Sequence, residues 1–532
     1  TSQLSSVFRF SKIYERVFAI IWTTTPWTIP SNRAVAVNSS LKYSLVRFSG
    51  GLFLLAKDLV EICMNHYQIS DFSVVAECAG EDLEGILLEH PFYERLVPVV
   101  LGDHVTVETG TGLVHTAPAH GVEDFDVGAL YDLEVDSLID DSGVFNDNVP
   151  LFGSIHFSNA DQKIIDELDR RQRLIRACEY VHSYPVCWRH KSPVIYRATP
   201  QWFISMDDGG ESSIRHQALK AIEDTKFYPK WGRARLESMV LGRPDWCVSR
   251  QRDWGTPMPF FIHKETGQLH PATCEILERV ASKVEDRGIE AWFSSSKEDL
   301  LGGEAGLYER VMSTMDVWFD SGTTHLSVLG KRPNLSKPAD LYLEGSDQHR
   351  GWFQSSLLTG CAIDGRAPYK GLLTHGFVVD GEGKKMSKSV GNVISPQKII
   401  DTLGADVLRL WVGATDYSGE LSISNEILQR VVEGYRRIRN TLRFILANVE
   451  DYDPETNVLP HTDWLEIDRY AIQMLGALQV SVSDDYAKYD FHQVIRKVQN
   501  FCSEDLGGFY LDVLKDRLYT MPENSLGRRS AQ

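Results

Sequence analysis

Long hydrophobic runs are absent from this sequence of 532 residues. The longest apolar stretches, such as Val17–Trp22, are far shorter than the ~20 residues that a membrane-spanning helix needs, so we expect no membrane association. Positive charge is also scarce, since 55 Lys and Arg stand against 73 Asp and Glu and give a net charge of −18. This balance excludes a basic coat over the whole surface. Any nucleic acid would have to bind at local positive patches.

Cysteine is sparse, with eight residues and no C-x-x-C pair. Scattered cysteines in a chain of this length are typical of reduced thiols, and they predict a cytoplasmic protein. Cys187 and His190 supply only half of a zinc ligand set, and no second pair lies nearby. We therefore expect no zinc site within this chain.

The pattern of apolar residues changes along the chain. The first ~175 residues are mostly β in character. Further on, Ala339–Leu343 reads as a strand, Gly351–Ile363 as a helix and Leu372–Val379 as a second strand, which together predict a βαβ unit with parallel strands. After Gly419 the pattern is helical, most clearly over Asn425–Asn448. The predicted fold class is a multidomain α/β protein with a β-rich first part and a helical C-terminal part.

The sharpest motif is Lys385-Met386-Ser387-Lys388-Ser389, which follows a glycine-containing segment after the second predicted strand. A loop of this kind can close over a triphosphate, and its ammonium groups can neutralise a departing pyrophosphate. A generic lysine-rich turn is more often just a solvated loop. However, five specified residues recur by chance only about once in several thousand sequences of this length, at roughly one in twenty per position.

A second group of polar residues lies where the first strand of the βαβ unit meets its helix. Ligands of open α/β sheets bind beyond the carboxyl ends of the strands. A carboxylate at Glu344 could bind an ammonium group or a ribose, and Asp347 and Gln348 could add polar contacts. Trp318 and Trp352 are aromatic candidates for lining a ligand pocket at this place, and packing in the core is an equally good explanation of both.

Hydroxyl-rich and histidine-rich segments near the start form a third group. Thr23, Thr24, Thr25 and Asn32 surround rigid Pro-Trp turns, and a later loop carries His115 and Asp124. Taken alone, such segments are more often structural than functional.

Two sets of arginines are candidates for contact with RNA. Arg250 and Arg252 flank a glutamine between tryptophans, although a surface strand would explain them as well. A basic face on the helix after residue 425 is the second set, with an ordinary solvated face as its alternative. Its members are Arg430, Arg436, Arg437, Arg439 and Arg443.

These motifs together resemble the class I aminoacyl-tRNA synthetases, and most closely the bacterial-type isoleucyl-tRNA synthetase family. The likeness runs along nearly the whole chain and includes Asp316–Gly322, Leu343–Phe353, Thr374–Phe377 and Gly404–Trp411. The resemblance implies four parts. They are an editing domain at 1–178, a connecting segment at 179–310, the second half of a Rossmann-type catalytic domain at 311–423, and an anticodon-binding helical domain at 424–532.

The resemblance also assigns roles to the candidate residues. Lys385 and Lys388 would act in catalysis, and ATP would contact His375, Gly376, Ser387 and Lys388. The adenylate would lie against Glu344, Asp347, Gln348, Trp318 and Trp352. Editing would use Thr23, Thr24, Thr25, Asn32, His115 and Asp124, and tRNA would contact Arg250, Arg252, Arg436, Arg437 and Arg439.

The implied function is the ATP- and Mg²⁺-dependent joining of L-isoleucine to tRNA(Ile) by a monomer, with hydrolysis of misacylated Val-tRNA(Ile). Three alternatives stay open: a free-standing editing deacylase, a non-catalytic tRNA-binding remnant, and a valyl-tRNA synthetase. The H-x-G-H signature of class I synthetases is missing and the first residue is Thr1. We therefore expect a fragment that ends partway through the anticodon domain and is weak at activating isoleucine by itself.

Overall fold

The chain forms two compact units in the computed structural model, which describes residues 2–8 and 15–532. The units are Thr1–Pro200 and Gln201–Gln532. The predicted fold class is confirmed, because the first unit is rich in strands, the second contains a parallel sheet, and the C-terminal region is helical. Within the described ranges, no helix is both long and apolar enough to cross a membrane.

The described residues of the first unit form eight short strands and four α-helices. Its strands are Val17–Ala19, Ala34–Val37, Lys42–Phe48, Gly51–Ala56, Ser73–Ala79, Leu87–Glu89, Leu96–Leu101 and Val114–Thr116, and its α-helices are Ser2–Val7, Val60–Tyr67, Val122–Leu130 and Asp161–Arg170. A 3-10 helix, Pro26–Ser31, follows the threonine segment.

Two four-stranded sheets organise this unit. The first is built on the hairpin that joins Lys42–Phe48 to Gly51–Ala56, with Phe48 paired to Gly51. In the second sheet, Ala34–Val37 pairs in parallel with Leu96–Leu101 and antiparallel with Val114–Thr116. Buried aliphatic side chains on both sheets form the core, so the sheets hold the segments before Pro26 and after Thr116 in place.

The second unit has eleven short strands and many helices. Its strands are Phe203–Ile204, Lys226–Tyr228, Trp246–Cys247, Ser249–Arg250, Phe261–His263, Tyr308–Arg310, Thr314–Met315, Tyr342–Gly345, Gly371–His375, Val378–Val379 and Leu421–Ser422. Its α-helices are Ile214–Asp224, Trp231–Leu241, Thr273–Arg287, Glu290–Ser294, Lys297–Leu301, Val317–Gly322, Trp352–Asp364, Pro396–Leu403, Ala405–Ala414, Asn425–Asn448, Glu466–Ala487, Phe491–Asn500, Leu511–Thr520 and Leu526–Ala531.

The predicted βαβ unit is present, with Tyr342–Gly345 and Gly371–His375 as parallel neighbours and Trp352–Asp364 as the connecting helix. Lys226–Tyr228 adds a third parallel strand. The helix packs nine consecutive buried residues, Phe353–Cys361, between the sheet and its surroundings. The helix is therefore buried on all its faces over this stretch, and the buried residues include the polar Gln354, Ser355, Ser356 and Thr359.

The C-terminal region follows the predicted helical pattern. The helix Asn425–Asn448 has the predicted bounds, and Ser424 caps it by accepting a hydrogen bond from the Ile427 backbone N–H. A ten-residue π-helical stretch, Phe501–Tyr510, interrupts the later helical segment. Apolar spacing could not reveal this change of winding, because a π stretch keeps its neighbours in helical contact.

Candidate functional site

The carboxyl ends of two neighbouring strands bring the predicted adenylate and ATP residues together. Glu344 pairs across the parallel ladder with Thr374, and Gly345 pairs with His375. Glu344 is exposed at this edge. His375 Nδ1 donates to the carbonyl oxygen of Gly376 at 2.8 Å, which fixes the ring at the end of its strand. An acidic group and an imidazole thus lie at the sheet edge where open α/β folds bind ligands.

The turn after Glu344 is organised by Gln348. Its Nε2 donates to Asp347 Oδ2 at 3.0 Å, and its Oε1 accepts a hydrogen bond from the Trp352 backbone N–H at 3.0 Å. The first backbone N–H of the following helix is therefore satisfied by a side chain from the turn. Asp347 and Gln348 form one polar unit at the mouth of the site.

The two tryptophans have different surroundings. Trp318 is 41% exposed, and its ring lies so close to Gly351 that a Cβ atom there would be 2.7 Å from it. Trp352 stacks on Tyr342 with ring centroids 4.1 Å apart and planes 8° apart, and its Nε1 donates to the Ser321 carbonyl oxygen. Trp318 can therefore offer a ring face to a ligand. Trp352 anchors the helix, and its place in an amino-acid pocket stays a prediction.

The second predicted strand, Leu372–Val379, is broken into two by Gly376. Its backbone N–H donates to the Tyr417 carbonyl oxygen at 3.0 Å, and a Cβ atom on Gly376 would lie 1.9 Å from the carbonyl oxygen of Gly419. Only glycine fits this crossing of two backbones. The chain then continues as Val378–Val379, which lies beside Leu421–Ser422. It next enters the loop of residues 380–392, which we call the lysine loop.

Asp380 and Asn392 hold the lysine loop. The Asp380 carboxylate accepts hydrogen bonds from the backbone N–H groups of Glu382 and Lys384 and from Asn392 Nδ2, at 2.9–3.0 Å. Asn392 Oδ1 accepts a further hydrogen bond from the Ser387 backbone N–H at 2.9 Å. Hydrogen bonding from Asn392, together with the backbone donors, lowers the pKa of Asp380.

The lysines of this loop present their charges outward. Lys385 pairs with Val379 in an antiparallel bridge, and its ammonium lies 5.9 Å from the centre of the Phe377 ring. Lys388 is exposed. Ser387 and Ser389 face each other with their hydroxyl oxygens 3.1 Å apart. A hydroxyl-bearing cationic loop that follows His375 along the chain can neutralise the phosphates of a bound nucleotide.

Arg250 makes internal contacts. Its guanidinium pairs with Asp316 at 3.1 Å and donates to the carbonyl oxygens of Cys247 and Ser249. Asp316 is buried, accepts a hydrogen bond from Trp246 Nε1, and caps the helix that carries Trp318. Arg250 thus ties its strand to that helix, whereas Arg252 is exposed. A role of either arginine in binding tRNA stays a prediction.

In the first unit, one hydrogen-bond network joins three predicted editing residues. Asn32 Nδ2 donates to His115 Nδ1 at 3.0 Å and to the Ala34 carbonyl oxygen. His115 Nε2 donates to the Thr28 hydroxyl at 2.8 Å, and that hydroxyl donates to the Thr25 carbonyl oxygen. These directions place the single imidazole proton on Nε2, because Nδ1 acts as the acceptor.

His115 is a neutral part of this network. It is 8% exposed, and burial lowers its pKa to about 4. Both ring nitrogens are occupied by protein partners. His115 therefore positions the turn that carries the threonines instead of exchanging protons with a substrate.

Asp124 and the threonines are the remaining predicted editing residues. Asp124 lies in the first turn of the helix Val122–Leu130 and accepts a hydrogen bond from the Ala117 backbone N–H at 2.9 Å, while burial raises its pKa. Thr23 Oγ1 accepts a hydrogen bond from the Thr25 backbone N–H, and Thr24 is exposed. A carboxylate and open hydroxyls next to a rigid turn could bind an amine and orient a water.

The helix Asn425–Asn448, which we call the basic helix, exposes its arginines. Arg430, Arg436, Arg437, Arg439 and Arg443 are all exposed. Arg436 pairs with Glu433 at 2.9 Å, so part of its charge is compensated. The helix therefore carries a positive face on an acidic chain, and its contact with tRNA stays a prediction.

The regions described above belong to stretches of the chain that are similar to known proteins. Residues 7–424 match the family described as tRNA synthetases class I (I, L, M and V), and residues 468–532 match the anticodon-binding domain of tRNA ligase. The chain belongs to the class I tRNA synthetases. Similar proteins include the isoleucine–tRNA ligases of Thiobacillus denitrificans, 57% identical over 100% of this chain, Nitrosomonas europaea, 60% over 97%, and Dechloromonas aromatica, 55% over 100%.

The chain spans 56–58% of the length of these three relatives. The class I match covers the sheet edge and the lysine loop, whereas the anticodon-domain match begins after the basic helix. The domain boundaries predicted from the sequence therefore stay predictions.

Among the described residues, no three or more His, Cys, Asp or Glu side chains are arranged so that they could bind a metal ion. Cys187 Sγ and His190 Nδ1 lie 3.4 Å apart. This thiol also accepts backbone hydrogen bonds from His190 and Arg189, which lower its pKa to about 7. The prediction that this synthetase segment binds no zinc remains to be tested.

Several residues of the site were missed by sequence reasoning. Thr28 stands within the threonine-rich segment, but its bond to His115 depends on a partner 87 residues away. Asp316 acts through its contacts with Arg250 and Trp246, and Tyr342 acts through ring stacking on Trp352. No local pattern in the sequence shows these partners. Asp380 could have been found, because an aspartate before Gly381 is a common signal for a side-chain-stabilised turn.

Proposed function

We propose that the chain works as part of an isoleucine–tRNA ligase, which activates isoleucine with ATP, transfers it to tRNA(Ile) and hydrolyses misacylated Val-tRNA(Ile). One observation carries the proposal: Glu344 and His375 end neighbouring strands of a parallel sheet, and the chain runs on from His375 through Val378–Val379 into the loop of Lys385 and Lys388. The 55–60% identity to isoleucine–tRNA ligases favours isoleucine over valine as the substrate. The proposed setting is the cytoplasm, and the proposed enzyme is a monomer.

Activation would join the isoleucine carboxylate to the α-phosphate of ATP and release pyrophosphate. Glu344 would hold the amino acid or ribose end, and Trp318 would contact the aliphatic side chain. Lys385 and Lys388 would neutralise the departing phosphates. The lysines and hydroxyls of the loop fit a triphosphate. Mg²⁺ would arrive on the phosphates, as it usually does where a protein offers few carboxylate ligands.

Transfer and editing would follow. The terminal adenosine hydroxyl of the tRNA would attack the acyl carbon and displace AMP. Isoleucine against valine is the standard illustration of how weakly an apolar pocket rejects a smaller substrate, and a second hydrolytic site is the known remedy. In the first unit, Asp124 would bind the α-ammonium group of the misattached amino acid. Thr24 and Thr25 would orient the terminal adenosine and a water.

The proposed editing activity is tested by measuring the deacylation of Val-tRNA(Ile) by the whole chain. We expect hydrolysis well above the spontaneous rate, and a loss of at least about tenfold in Asp124→Asn, which keeps an oxygen for the Ala117 backbone N–H. Asp126→Asn, at an exposed position on the same helix, is the matched control. Hydrolysis at the spontaneous rate by the wild-type chain would favour a non-catalytic tRNA-binding remnant.

The activation half is tested by isoleucine-dependent exchange of pyrophosphate into ATP. Because the chain contains no H-x-G-H segment, we expect weak exchange that falls further in Lys388→Ala. Exchange at a rate typical of a complete synthetase would contradict the expected weakness. Exchange that is faster with valine than with isoleucine would favour a valyl-tRNA synthetase.

A further inference from the structure

A surface segment of the first unit, residues 178–196, is anchored to the rest of that unit near both of its ends; we call it the strap. Before it, the Arg176 guanidinium donates to the His66 carbonyl oxygen. At its far end, His120 Nδ1 donates to the Tyr196 carbonyl oxygen at 3.1 Å. His120 lies in the loop that precedes the helix of Asp124. The strap is therefore held to the β-rich unit on both sides.

Four rings form a continuous row from the threonine segment along the strap; we call Trp22, Tyr180, His182 and Tyr184 the ring row. Trp22 and Tyr180 are 5.3 Å apart and perpendicular, at 88°. Tyr180 and His182 stack at 5.7 Å and 28°, and His182 meets Tyr184 edge-on at 5.8 Å. Trp22 directly precedes Thr23.

The ring row is not part of a core. Tyr180 is 54% exposed and Trp22 is 40% exposed. Trp22 packs on the backbone of Gly110, since a Cβ atom there would lie 3.5 Å from its ring, and this contact holds one side of the ring. The strap tip carries Trp188, which is 75% exposed, with the Arg189 guanidinium 4.9 Å from its ring centre. A contiguous group of exposed aromatic rings offers a surface on which a flat partner can stack.

The charge around the strap is opposite to that of the chain. Residues 170–197 contain seven Lys and Arg and one acidic residue, although the whole chain has a net charge of −18. Arg170 and Arg171 pair with Glu167, and Arg197 pairs with Asp141. Arg189 and Lys191 stay exposed at the strap tip. Positive charge beside exposed rings suits a partner that has both flat bases and phosphates.

We propose that the ring row and the strap tip bind the single-stranded 3′ end of a tRNA and guide it to Thr23–Thr25. The inference rests on the proposed editing function. Unpaired bases stack on aromatic rings, whereas the bases of a duplex are already stacked on one another. Arg189 and Lys191 pair with phosphates farther from the terminus. The row ends beside Thr23, so the terminal nucleotide reaches the hydroxyls while its neighbours lie on Tyr180 and His182.

Fluorescence anisotropy with a labelled, unacylated single-stranded RNA of about six nucleotides ending in CCA tests this surface. We expect Tyr180→Ala to bind about tenfold more weakly than the wild-type chain and Tyr180→Phe to bind normally, because stacking needs the ring and not the hydroxyl. Tyr486→Ala is the matched control, since Tyr486 in the second unit is also 54% exposed. Circular dichroism checks that each variant is folded.

Unchanged binding by folded Tyr180→Ala would overturn the proposal. Equal affinity for a blunt RNA duplex of the same length, equally weakened in Tyr180→Ala, would also overturn it, because base stacking would then play no part. The readout needs no catalysis, so it separates the two hypotheses. If Asp124→Asn abolishes deacylation while Tyr180→Ala binds normally, the editing site stands and the ring row fails. If Tyr180→Ala binds weakly but no Val-tRNA is hydrolysed, the RNA surface stands and the editing function fails.

Discussion

His115 shows how burial decides the role of a single side chain. An exposed histidine beside an ester could act as an acid or a base, but this ring is enclosed and makes hydrogen bonds to Asn32 and Thr28. Desolvation is the main cause that lowers its pKa to about 4. At neutral pH the ring is uncharged, and it holds the turn before Asn32 in place. A rigid turn is what a water-based hydrolysis requires, since the water must be oriented by fixed groups.

The buried ring makes the stability of the first unit depend on pH. Its pKa is near 6.5 in the unfolded chain and about 4 in the folded chain, so the unfolded form binds the proton more readily. The stabilisation is complete above pH 6.5 and is lost as the pH falls towards 4. Between pH 6.5 and pH 4 we expect protonation linked to His115 to lower the free energy of unfolding by about 3 kcal/mol, as measured by urea unfolding at each pH.

Comparison of variants isolates the contribution of His115. His90, whose pKa burial lowers to about 3, acts in the same direction. We therefore expect His115→Gln to reduce the pH dependence without removing it. His182→Gln, at an exposed position, should leave it unchanged. An equal pH dependence in wild type and His115→Gln would show that the ring is not protonated on unfolding.

At the scale of elements, the lysine loop is defined by its two ends. Gly376 lets the chain cross the backbone of Gly419, and Asp380 and Asn392 then hold the loop by hydrogen bonds to its backbone. A loop that closes over a nucleotide must exchange these bonds for contacts with the ligand. Asp380 and Asn392 therefore help to set how readily the lysines move.

We expect Asp380→Ala to loosen this loop, because three hydrogen bonds to the carboxylate are lost. Trypsin should then cleave after Lys384, Lys385 or Lys388 several-fold faster, as followed by mass spectrometry of the fragments. Asp401→Ala is the control, since Asp401 is exposed on a nearby helix and accepts a hydrogen bond from Gln397. Equal cleavage rates in the two variants would mean that Asp380 does not restrain the loop.

For the whole molecule, the distribution of charge matters more than its sum. A net charge of −18 repels RNA at long range, so the proposed binding of tRNA has to rely on local positive surfaces, such as the helix Asn425–Asn448. Arg437 and Arg439 are exposed there. Neutralising phosphates releases counterions, and the affinity therefore falls as salt is added.

We expect the double variant Arg437→Gln, Arg439→Gln to bind tRNA more weakly and with a smaller dependence on salt. The slope of log affinity against log salt should decrease by about 2, one for each lost phosphate contact. Arg409→Gln is the control, because Arg409 is an exposed arginine on a different helix, where its guanidinium lies near Asp406. An unchanged slope in the double variant would exclude this helix from the tRNA interface.

The sequence by itself determined the features that depend on neighbours in the chain. The spacing of apolar residues predicts the helix Asn425–Asn448 and the βαβ unit, because helical and strand periods are local properties. The lysine motif identifies its own loop for the same reason. These predictions needed no knowledge of what packs against each segment.

Only the tertiary structure decided which of several equivalent side chains serve a site. Trp318 and Trp352 look alike in sequence, but one keeps an exposed ring and the other stacks on Tyr342. The ring row joins Trp22 to Tyr180, 158 positions later, and no periodic pattern connects residues so far apart. Burial, pKa and ring contacts depend on packing between distant segments, and that packing exists only once the chain has folded.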